Sequence, residues 1–94
     1  MEEKVLTLHP QGKSGVSISR AKYDTISRAI QDSLWAHQTM TFKELTEEVR
    51  RRLEGSFDGS ISWYVTTVKL DLEARGAIER IPNSTPQRLR LATG

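Results

Sequence analysis

In SISWYVTTVKLDLEARG, Ser60 to Gly76, Ile61, Val65, Val68 and Leu72 recur at helical spacing, and Gly76 ends the run. Asp58 or Ser60 is placed to cap this helix at its start. At ~100° per residue the four apolar side chains cluster on one face. Trp63, Thr66, Thr67 and Leu70 then face outward, with Ser62 and Lys69 nearer the edge. An amphipathic helix buries one stripe and shows water polar groups, so Trp63 and Leu70 on the outer side need an explanation.

Upstream, Tyr23, Ile26, Ile30 and Leu34 recur at three- and four-residue spacing and predict a helix over Ala21–Ala36, with Ser19 as N-cap. A second helix begins at a T-x-x-E capping box, Thr41 and Glu44, with Met40 and Leu45 at the positions of a hydrophobic staple. Its expected buried stripe is Phe42, Leu45, Val49 and Leu53, and Gly55 follows as its stop. The run Arg50–Arg52 invites a nucleic-acid reading. Its three side chains fan around the helix, however, and Glu47 with Arg51 and Glu48 with Arg52 stand at ion-pair spacing. A solvated, paired face is the simpler expectation.

At the ends of the chain the pattern changes. Residues 1–19 mix short apolar pieces (Val5, Leu6, Leu8; Val16, Ile18) with HPQGKSG, which predicts an extended arm carrying one strand. AIERIPNSTPQRLRLA, from Ala77, predicts two short strands around PNSTP, with Leu89 and Leu91 alternating against Arg88 and Arg90.

The chain has 94 residues, enough for one domain with a single core. Without cysteine it can form neither disulfides nor thiolate metal sites. No signal peptide and no run of ~20 apolar residues is visible, so a cytoplasmic protein is expected. The net charge of +2 is unevenly spread: the helices are nearly balanced, and the tail from Gly76 sets Arg80, Arg88 and Arg90 against Glu79 alone.

From Arg20 to Leu91 the order of helix, TMTF segment, helix, turn, helix and hairpin resembles a winged helix-turn-helix domain. WYVTTVKLDLEARGAIERIP followed by PQRLRL is similar to a group of small bacterial winged-helix proteins. The resemblance implies an α+β fold: a three-helix core with a C-terminal two-stranded β-wing in residues 20–94, behind the N-terminal arm of residues 1–19. It further implies that Ser60–Arg75 is the recognition helix, that Ala77–Leu91 is the wing, and that the partner is double-stranded DNA in transcription regulation.

The residues themselves weigh differently. The outer helix face offers no arginine, asparagine or glutamine for bidentate base contacts, only Thr66, Thr67 and Lys69. A closed hairpin is expected to gather Arg80, Arg88 and Arg90, with Ser84 and Thr85 adding hydroxyls for a phosphate. The alternative for that strand is a merely soluble face. For Trp63 and Leu70 three readings stand: cover by the arm or wing, a protein interface such as a homodimer, or DNA contact. QGKS lacks the first glycine of a P-loop, since Thr7 stands there. His9 and His37 are isolated and no nucleophile motif occurs, so neither an enzyme, a cofactor nor a metal site is expected.

Overall fold

The computed structural model describes residues 3–92, so the outermost residues of the two expected segments, 1–2 and 93–94, lie outside the description. The order is β1 (Lys4–Leu6), β2 (Ser17–Ser19), α1 (Arg20–His37), β3 (Met40–Thr41), α2 (Phe42–Leu53), α3 (Ile61–Ala74), β4 (Ile78–Arg80) and β5 (Arg88–Leu91). It is an α+β fold of three helices and two small antiparallel sheets. No described helix is long and apolar enough to cross a membrane.

The three helices enclose one core. α1 contributes Ile26, Ala29, Ile30 and Leu34, α2 contributes Leu45 and Val49, and α3 contributes Val65, Val68 and Leu72. Each helix starts on a side-chain cap. Ser19 Oγ accepts from the Lys22 N–H (3.3 Å) and Ser60 Oγ from the Trp63 N–H (3.3 Å). In the capping box Thr41 N–H donates to Glu44 Oε1 (2.8 Å) and Glu44 N–H to Thr41 Oγ1 (3.1 Å). The backbone bond, first, and then the Thr41 hydroxyl and the charges of Arg88 and His37 hold the Glu44 carboxyl below the usual range. Phe42 departs from the expected stripe: it sits on the α2 surface with Lys69 Nζ 5.3 Å from its ring centroid. The arginine pairing differs as well. Glu48 takes both Arg51 (Nε, 3.1 Å) and Arg52 (Nε, 3.1 Å), while Glu47 takes neither.

The C-terminal strands do not stand as a two-stranded unit. β5 is the middle strand of a three-stranded sheet ordered β3-β5-β4, with Met40 opposite Leu89 and Thr41 opposite Arg88. β3 is only two residues long, so it carries no alternation from which it could be expected. The N-terminal segment likewise holds two strands rather than one. β1 and β2 form a hairpin with Val5 opposite Ile18, and Val5, Thr7 and Ile18 face inward. Its closure depends on Gly15: a Cβ there would lie 1.7 Å from the Thr7 carbonyl oxygen.

One buried charge joins these parts. Asp71, on the inner face of α3, has no exposed surface. Its Oδ1 accepts the Leu8 N–H (2.8 Å), and its Oδ2 accepts the Tyr23 hydroxyl and Arg75 Nε (2.8 Å). Three donors from three segments replace the water that this carboxylate loses. Burial, first, and then the bond to Asp71 and its charge push the Tyr23 phenol from 10.0 up to about 12, against a smaller opposing effect of Arg75.

Gly15→Ala should open the hairpin, seen as early proteolytic cleavage ahead of α1 and a lower melting temperature. Asp71→Ala removes the acceptor of the part-buried Leu8 N–H and Tyr23 hydroxyl; chemical denaturation should show a stability loss of roughly 1–3 kcal/mol in all. The raised phenol pKa means that its contribution is complete below pH 10 and lost as pH climbs from 10 to about 12. Stability measured across that interval should therefore fall more steeply for the wild type than for Tyr23→Phe.

Candidate nucleic-acid interface

α3 turns its polar side away from the core. Ser62, Trp63 and Thr66 are exposed, and Thr67, Lys69 and Leu70 are half-buried. Trp63 keeps 46% of its surface, so neither the N-terminal hairpin nor the C-terminal sheet covers it. Its ring instead leans edge-on against Tyr64, with centroids 4.9 Å apart. Leu70 is partly shielded, which narrows the apolar patch to Trp63. The Thr66 hydroxyl donates to the Ser62 carbonyl one turn back (3.0 Å) and leaves its methyl group and lone pairs outward.

α2 and α3 run side by side, and basic side chains mark their seam. Arg50 Nη2 donates to Ser62 Oγ (2.7 Å) at the first turn of α3. Lys69 lies against Phe42 of α2 and pairs with Glu73 Oε1 (3.1 Å). Glu73 also takes Arg80, through Nε and Nη2 at 3.2 Å each. Arg50, Lys69 and Arg80 thus follow α3 from its start to its end, with one carboxylate shared between the last two. Arg50 was hidden inside the arginine run. At four-residue spacing it alone has Thr46 rather than a glutamate, although Glu47 stands three residues before it, so the sequence did not separate it from its neighbours.

The wing arginines do not gather as expected. β4 pairs with β5 so that Arg80 faces Leu89 and Glu79 faces Arg90. Side chains alternate across a strand, so Arg80 shares the inner face with Leu89 while Arg88 and Arg90 share the outer one. Arg80 reaches α3. Arg90 pairs with Glu79 (Nη2, 3.5 Å), and Arg88 turns to Glu44 (Nη1, 3.6 Å) and Thr39 (3.4 Å). The opposition of Arg80 and Arg88 that closure on PNSTP could have produced is absent.

At the tip, Ser84 Oγ donates to the Ile81 carbonyl (2.8 Å) and accepts the Arg88 N–H (2.9 Å). Its one proton is used inside the turn, so it has none to give a phosphate. Thr85 is exposed.

The remaining polar residues stay local. His37 Nε2 lies 3.7 Å from Glu48, whose carboxyl the hydrogen bond from Arg51, first, and then Arg52 hold below the usual range. His9 Nδ1 accepts the Gln11 N–H (3.1 Å) within its own loop. Among the described residues no group of three metal-ligating side chains forms.

Residues 4–89 match the model of a protein family described as "Family of unknown function (DUF6958)". No curated protein and no solved structure matches the chain. Because the match spans β1 to β5, covering both sheets and all three helices, the chain belongs to the Family of unknown function (DUF6958).

Proposed function

We propose that this is a cytoplasmic winged helix-turn-helix protein that binds double-stranded DNA, in the manner of a bacterial transcription regulator. The observation that carries the reading is the line of Arg50, Lys69 and Arg80 beside α3, in which Arg50 and Arg80 are exposed and the Lys69 side chain is largely covered by Phe42 and Glu73. The order of three helices followed by the β4–β5 hairpin supports the reading, while the added strand β3 beside β5 departs from a two-stranded wing. In that reading α2 and α3 are the helix-turn-helix and β4–β5 the wing.

The chemistry favours phosphate over bases. Arg50 and Arg80 carry guanidinium groups suited to phosphate oxygens, and Lys69 adds a point charge. Toward the groove α3 presents Trp63, Thr66, Thr67 and Leu70, which can meet thymine methyl groups but cannot make the bidentate contacts that separate guanine from adenine. Arg88, Arg90 and Thr85 lie at the sheet's outer face or tip, where they support the approach to the backbone. Affinity in this reading comes mostly from counterion release and depends little on sequence.

Fluorescence anisotropy of a labelled duplex at several salt concentrations tests the proposal. Binding should weaken steeply with salt. Arg50→Ala, Lys69→Ala and Arg80→Ala should each flatten the log–log salt slope by about 0.9 for every phosphate no longer neutralised. They should do so alike for unrelated duplexes. Failure of the wild type to bind at low salt, or three variants that bind like it, would overturn the reading.

A second reading, docking of a protein on the Trp63 face with Leu70 at its edge, draws on the exposure of Trp63. It predicts that Trp63→Ala changes molecular mass in light scattering and leaves DNA affinity alone.

A further inference from the structure

Trp35 is the most exposed of the large apolar side chains among the described residues, at 80%. It lies on α1 in line with Thr25, Arg28 and Asp32, all three of them exposed. At ~100° per residue these four fall within ~80° of one another, directly opposite Ile26, Ile30 and Leu34 of the core stripe. Among the described residues neither Arg28 nor Asp32 joins an ion pair, although they stand at the spacing that permits one. Beside them a groove of about 330 Å³ opens between α1 and α2, floored by Ala29 and Leu53 and rimmed by the charges of Arg28 and Arg52 with Asp24 and Asp32.

We infer that the outer face of α1 is the contact surface for a second copy of this chain, packed as an antiparallel helix pair about a two-fold axis. The face is self-complementary. With the axis at the level of Ile30, Arg28 lies across from Asp32 of the second copy, and the pair occurs twice by symmetry. Trp35 of each copy comes down beside Thr25 of the other, where the groove offers an apolar floor and guanidinium groups at its rim for an indole. A tryptophan anchor entering a pocket, ringed by ion pairs that fix the register, is the usual arrangement of an interface. The surface is separate from the Trp63 face and does not depend on DNA binding.

Sedimentation equilibrium of the whole chain at high protein concentration tests this. The wild type should give twice 10.7 kDa. Trp35→Ala and Arg28→Asp should each return the mass to 10.7 kDa with unchanged helical circular dichroism. The double exchange Arg28→Asp with Asp32→Arg restores both ion pairs and should restore the dimer. A wild type that stays at 10.7 kDa, a dimer that survives Trp35→Ala, or a double exchange that remains monomeric would each overturn the inference. So would a dimer that only Trp63→Ala dissolves. Should Trp35→Ala fail to fold, the charge exchanges decide alone.

Discussion

The Asp71 carboxylate is the constraint on which the arrangement of helices rests. A charge with no exposed surface is costly unless its oxygens are fully engaged. Here the donors come from the loop after β1, from α1 and from the residue that closes α3 itself. Each donor demands a different geometry, so satisfying all three sets how α1 and the hairpin sit against α3. Apolar packing alone would tolerate small rotations of these elements. The hydrogen bonds do not. The outward presentation of Trp63, Thr66 and Lys69 follows from where Asp71 must point, because all four belong to one rigid helix.

Much of this was legible in the chain. The capping box at Thr41 and Glu44, the caps at Ser19 and Ser60, and the stripes of the three helices come from local rules, and the structure keeps the caps and, Phe42 excepted, the stripes. Asp71 was not legible: the helical spacing that selects Val65, Val68 and Leu72 puts residue 71 about 90° from the centre of their stripe, at its border. Charge argued for solvent, and only the distant partners Leu8 and Tyr23 reverse that argument. The candidate site was legible in part. Thr66, Thr67 and Lys69 follow from the wheel, but the relation of Arg80 to Arg88 and Arg90 depends on strand register. Two-residue alternation fixes Arg88 and Arg90 to one face of β5; nothing local says that Arg80 falls opposite Leu89 and so meets neither. β3 and the closed β1–β2 hairpin escaped because both depend on tertiary pairing over very few residues.

The charge distribution explains why composition was a poor guide to binding. Glu73, Glu44 and Glu79 each hold a basic residue that the sequence counts as available. In the proposed reading a phosphate would have to compete with a carboxylate already in place, and such competition is sensitive to salt. α1 and α3 meet through their inner faces, with Tyr23 on Asp71. Their outer faces consequently look in different directions, and pairing through α1 leaves α3 unobstructed in both copies.

The bond from Leu8 to Asp71 spans 63 residues and so has a meaning in time as well as in space. During synthesis the β1–β2 segment emerges before α3 and can close on itself within microseconds. It cannot dock until α3 has left the ribosome, several seconds later at ordinary elongation rates of ~5–20 residues per second. Through that interval Val5 and Ile18, later buried, join Leu6, Leu8 and Val16 in water. A segment made before α3 is thus secured only after it, and the waiting hairpin is a stretch that a nascent-chain chaperone would meet.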